Sequence, residues 1–118
     1  MAPRLYWQLN PVRAFASLTH SMLPADVNVT AYAARMEDNF FHQTHYFLLS
    51  GSEQSLRAFA TNSGLVESED ARYMLPTHLF NQTLAAADTI AGYETEADKG
   101  RDRWFWILSG GDRAIYAY

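Results

Sequence analysis

Cysteine is absent from this chain of 118 residues. Disulfides, zinc–thiolate sites, iron–sulfur clusters and cysteine nucleophiles are thereby excluded. Lysine is almost absent as well, Lys99 being the only one. Nine basic residues face thirteen acidic ones, a net charge of −4, and no basic cluster offsets that balance. A nucleic-acid backbone is therefore not an expected partner. No run of about 18 apolar residues occurs, so no membrane-spanning helix is expected. The opening stretch MAPRLYWQLNP lacks the continuous apolar segment of a secretory signal. We therefore expect a cytoplasmic protein, or a periplasmic one if an export segment has been trimmed. Two catalytic signatures are missing too: a Gly-x-Ser-x-Gly turn and a glycine-rich loop ending in Lys-Ser/Thr.

What remains is ordinary globular material. The hydrophobic content of 48% and charged content of 19% lie far from the disordered range, and the length suits one domain with one core. Asn10-Pro11 offers an N-cap followed by a proline at the first helical position. Val12, Phe15, Ala16 and Thr19 then share a helical face until Leu23-Pro24, which predicts a helix over about 11–22. Val27, Val29, Ala31 and Ala33 alternate with polar or larger residues, as in a half-buried strand. A turn at Glu37-Asp38-Asn39 leads to a second, antiparallel strand over about 42–49. Ser50 and Glu53 have capping-box spacing ahead of Leu56, Phe59, Ala60 and Ser63, with Gly64 as the left-handed stop, so a helix is expected over about 52–63. Val66 to Arg72 reads as an acidic loop. Pro76-Thr77 is expected to open another helix with Phe80, Thr83, Leu84, Ala87 and Ala91 on one face. Glu94 to Arg103 reads as an exposed charged loop.

The closing segment is the plainest signal. Two strand-forming runs flank Ser109-Gly110-Gly111-Asp112, and the glycines can supply the positive φ of a tight hairpin turn. A two-residue loop puts Trp104, Trp106 and Leu108 on one face with Arg113, Ile115 and Ala117. Phe105 and Ile107 fall on the other with Ala114, Tyr116 and Tyr118. Both faces are apolar. One must cover helices; the other is covered by more of the chain or is left open to a partner. The expected fold is a single α+β domain: a small antiparallel sheet of about four strands with two to three helices packed on one face.

The candidate chemistry is thin. His42 and His45 are separated by three positions, which on a strand sends them to opposite faces, and no third ligand is fixed near them. Ser50-Gly51-Ser52 is accounted for by helix capping. The acidic groups Glu37/Asp38, Glu67/Glu69/Asp70 and Glu94/Glu96/Asp98 sit in turn or loop sequence, where carboxylates are solvated rather than tuned for acid–base work. No metal and no cofactor is expected, and the balance leans away from an enzyme. The candidate partner surface combines Glu67, Glu69, Asp70, Glu94 and Glu96 with Trp104, Trp106, Tyr116 and Tyr118, since carboxylates steer encounter and aromatics anchor interfaces. A homodimer through the edge of the C-terminal strand is a further expectation. The alternative is a small-ligand-binding domain or small enzyme with a pocket near His42/His45 and Glu37 or Asp38.

Leu23-Pro24-Ala25-Asp26-Val27 through Thr30-Ala31-Tyr32, then His45-Tyr46-Phe47-Leu48-Leu49-Ser50-Gly51-Ser52-Glu53 with Leu56-Arg57-Ala58-Phe59, and the closing Ala114-Ile115-Tyr116-Ala117-Tyr118 together carry a resemblance. They are similar to small bacterial α+β proteins, some lipoprotein-like and some immunity partners of secreted toxins. The resemblance covers about half the chain and departs from the lipoprotein members in lacking their cysteine. It implies a non-enzymatic inhibitor that binds and neutralises a cognate bacterial toxin.

Overall fold

The final hairpin sits at the heart of a six-stranded antiparallel sheet rather than at its margin. A computed structural model describes residues 9–36, 43–96 and 102–118. Its main elements are α1 (Pro11–Thr19), β1 (Asn28–Met36), β2 (Gln43–Ser50), α2 (Glu53–Asn62), β3 (Leu65–Glu67), α3 (Glu69–Arg72), β4 (His78–Leu79), β5 (Gln82–Thr83), β6 (Thr89–Thr95), β7 (Trp104–Leu108) and β8 (Arg113–Ala117). The sheet order is β1-β2-β8-β7-β6-β3, and β4 and β5 form a separate small hairpin. The α+β class is as expected. The strand number is not: six strands stand where about four were expected, because β3 and β6 come from segments that read as loop and helix.

The register of the final hairpin is the expected one, with Phe105 opposite Tyr116 and Trp106 opposite Ile115. Its turn closes when the Gly111 amide donates to the Leu108 carbonyl at 3.0 Å. Gly110 and Gly111 adopt φ of 99° and 78°, which a side chain would resist.

One face of the sheet packs on α1 and α2. Phe47, Leu49, Phe105, Ile107, Ala114 and Tyr116 meet Ala14 and Phe15 of α1 and Leu56, Phe59 and Ala60 of α2. Phe59 sits edge-on to Tyr116 with centroids 5.4 Å apart, and Phe15 does the same to Phe47 at 5.2 Å. Aromatic pairs prefer this geometry over face-to-face contact. The buried face of α2 is the one its periodicity predicts. That of α1 is rotated: Ala14, Phe15 and Thr19 are buried while Val12 is 63% exposed. A bulge between Val29 and Ala31 likewise changes the phase of β1. Beyond it Tyr32 is buried instead of Ala31, since one extra residue reverses every later side chain.

The cap of α2 differs from the expected box. Ser50 ends β2, and it is Ser52 whose hydroxyl accepts the Ser55 amide at 3.2 Å. Glu53 pairs along the helix with Arg57 at 2.8 Å. Gly64, at φ 85°, follows the helix as expected.

The second face is sealed by residues 68–88, which were expected to supply a loop and a helix. The helix expected from Pro76 is absent: Phe80 and Asn81 take φ of 52° and 61°, turning β4 straight back into β5. Two consecutive positive φ values make a primed turn and are incompatible with a right-handed helix. Leu75, Leu79 and Leu84 instead cover Trp106, Leu108, Ile115 and Ala117. The short α3 also lies on this face, so the helices are not confined to one side of the sheet. Its close approach depends on Gly92, where a Cβ would stand 2.7 Å from the Arg72 backbone nitrogen.

Arg72 fastens this cover to β6. Its guanidinium donates to the Thr89 hydroxyl at 2.9 Å, to the carbonyls of Ala86 and Thr89 at 3.0 Å each, and to Glu69 at 2.9 Å. The Trp106 indole N–H donates to the Ala71 carbonyl at 2.7 Å, tying α3 to the sheet from below.

Candidate partner-binding surface

The sheet register assembles a row across the second face: Val66 on β3, Glu94 on β6, Trp104 on β7, then Ala117 and Tyr46. Directly opposed residues in neighbouring strands stand close enough for side-chain contact. Trp104 and Glu94 are half-buried, and Val66 is 41% exposed at the sheet edge. The ring of Trp104 lies parallel to that of Trp106, 3° between planes and 6.5 Å between centroids. Trp106 is itself held by its bond to Ala71, so Trp104 stacks on a fixed neighbour.

The acidic residues surround this row unequally. Glu96 follows β6 and is exposed, and Glu69 and Asp70 are exposed on α3, which begins just beyond β3. Among the described residues Glu94, Glu96 and Asp70 have no cationic partner, whereas Glu69 is paired with Arg72. Glu67 lies on the other face, where Arg57 reaches it at 3.4 Å and also donates to the Tyr93 hydroxyl at 3.1 Å. The Glu53 carboxylate above all, with Tyr93 and Glu67, strengthens Arg57's hold on its proton against the opposing effect of burial. Glu67 thus faces the helix side, away from the Trp104 row, in contact with Arg57.

Three of the four aromatic residues assigned to this surface from sequence stand elsewhere. Trp106 and Tyr116 are 1% and 0% exposed and are core residues on opposite faces, so neither presents surface. The Tyr116 hydroxyl accepts from Arg103 at 3.1 Å. Tyr118 is half-buried against the helix-side core. The structure therefore brings together Trp104, Glu94 and Glu96, with Glu69 and Asp70 nearby, and adds Val66. The alternation in the sequence separated the two faces of the hairpin but carried no sign of the cover supplied by residues 68–88. Val66 was missed because a three-residue strand has no periodicity to read.

The other candidate sites are accounted for. Pairing through the edge of the C-terminal strand is not available, because β8 is bonded to β2 on one side and β7 on the other. The Nδ1 atom of His45 lies 2.7 Å from the Tyr32 hydroxyl. His42, Glu37, Asp38 and Asp98 lie outside the described residues. Among those described, no group of three His, Cys, Asp or Glu side chains could hold a metal ion. The N-terminus of α2 is filled from within the fold: Asp26 accepts the Ser52 amide at 3.3 Å. The Ser55 and Ser52 side chains hold the Asp26 carboxyl below its ordinary range.

Comparison with known proteins adds no relative. No protein-family model, no curated protein and no solved structure matches this chain. Among the described residues no helix is long and apolar enough to cross a membrane.

Proposed function

We propose that this protein is a non-enzymatic interaction module, an immunity-type inhibitor that covers a cognate bacterial toxin. Trp104 carries the reading: a half-buried indole stacked on Trp106 and opposite Glu94 in the neighbouring strand. A rigid aromatic residue buries large area at little entropic cost, and neighbouring charges steer encounter and set register. Glu94, Glu96 and Asp70 have no cation to satisfy within the described fold, which supports a partner with a basic face. Blocking such a face requires no chemistry from the inhibitor itself.

The test is a calorimetric titration against the proteins encoded by the genes adjacent to this protein's own. We expect a complex that Trp104→Ala weakens by about 2 kcal/mol or more, the scale of an interface anchor. Glu94→Gln with Glu96→Gln should slow association and flatten its salt dependence while leaving dissociation nearly unchanged. Absence of a complex, or an affinity indifferent to Trp104, refutes the proposal.

A further inference from the structure

The two margins of the sheet are unlike each other. β3 has three residues, while β1 has nine, and among the described residues no strand pairs with the outer side of β1. Beside that outer side runs a slot of about 420 Å³, lined by Ala33, Ala34 and Arg35 on β1 and by residues 78–83 of the β4–β5 hairpin. Ala33 and Ala34 belong to opposite faces of the sheet, Ala33 packing with the Trp106 side and Ala34 with the helix side. Both line the slot, so its wall is the backbone edge of the strand rather than either face. An unpaired strand edge presents alternating N–H and C=O groups, and the chemistry that satisfies them is another extended backbone.

Arg35 gives the slot a sign. Its guanidinium donates to the His78 carbonyl, which bridges the slot and fixes the head group. Arg57 and Arg72 each have a carboxylate, but among the described residues Arg35 has none. A guanidinium carries five donors in a fixed fork, so donors remain for an incoming carboxylate. The facing hairpin adds the exposed residues Asn81, Gln82 and Thr83, while Leu79 and Phe80 supply apolar lining.

We propose that the β1 edge is a strand-addition site for an extended acidic peptide segment, whose backbone pairs along Ala33–Met36 and whose carboxylate is received by Arg35. The slot lies at the outer edge of β1, three strands away from Trp104 on β7, although Ala33 continues the same cross-strand row through Tyr46 and Ala117. Backbone pairing supplies the affinity, and Arg35 supplies the preference for acidic side chains.

The test is an amide NMR titration of the full chain with a capped Val-Glu-Val-Glu-Val peptide and its lysine counterpart. The acidic peptide should shift the signals of Ala33–Met36 and His78–Thr83 and should bind about tenfold more tightly than the lysine peptide, the effect of one charge-assisted contact. Arg35→Glu should reverse the preference, and Arg35→Gln should abolish it with the rest of the spectrum unchanged. Equal binding of the two peptides, shifts confined to the β3 margin, or no response at millimolar peptide overturns the proposal. So does a concentration-dependent dimer that broadens the same amides without peptide, because the edge would then belong to a second copy.

Discussion

Both faces of the sheet are covered, yet by different means, and the second leaves the Val66–Glu94–Trp104 row partly open. On one, α1 and α2 press regular apolar stripes against Phe47, Phe105 and Tyr116. On the other, residues 68–88 cross in short irregular pieces, with Ala71, Leu75, Leu79 and Leu84 buried beneath them and Phe80 packed alongside. A regular helix satisfies its own backbone groups and needs only apolar area to stay in place. An irregular cover must find partners for its carbonyls and amides elsewhere. Arg72 meets that need by holding Ala86 and Thr89, and the Trp106 indole holds Ala71. The helix side is therefore held mainly by area and the other side by a few polar fasteners.

The difference has measurable consequences. Leu56→Ala removes a fully buried side chain from the helix side. It should cost about 2–5 kcal/mol in chemical denaturation, with one cooperative transition, because the cavity lies in the shared core. Arg72→Ala should cost about 2 kcal/mol, the scale of lost hydrogen bonds to a charged donor. Hydrogen exchange should then accelerate in residues 71–86 well before it does in β2, whereas Leu56→Ala should accelerate both together. Uniform acceleration in both variants would erase the distinction between the two covers.

The smallest effect concerns Asp26. Its carboxyl is held below its ordinary range by Ser55 and Ser52. The resulting stability is fully present above the unfolded-state value of about 3.9 and is lost as pH falls through the lower folded value. Across pH 2–6, Asp26→Asn should therefore flatten the acid limb of a thermal-melting profile and leave its neutral limb nearly parallel to the parent's. An unchanged acid limb would show that the carboxylate contributes nothing at the α2 N-terminus.

The same contrast explains what could be read from the chain. Helix α2 and the β7–β8 hairpin were legible because their signals are local: a serine cap, a left-handed glycine, and alternation on either side of Gly110-Gly111. Phe80, Thr83, Leu84, Ala87 and Ala91 also fit a helical stripe, but Phe80 and Asn81 turn with positive φ to place Leu79 and Leu84 over Ile115 and Trp106. That choice is made by a distant surface, which no local window contains. For the candidate site, Glu94, Glu96 and Trp104 were legible by residue type. Burial of Trp106 and Tyr116 was not, because it depends on which segment arrives to cover each face. The edge position of Val66 was likewise set by pairing with Glu94, nearly thirty residues away in sequence.

The place of β8 in the sheet order has a consequence for synthesis. β1 with β2, and β3 with β6 and β7, make two groups of strands that share no direct ladder; β8 bonds to β2 and β7 and unites them. Each group can begin to form from nearby sequence, but no backbone ladder joins the two until Arg113–Ala117 has been made. A chain growing from its N-terminus thus carries two unfinished half-sheets, and one late strand serves as the keystone. Translation that stalls before it would leave the inner margins of β2 and β7 open to whatever strand arrives first.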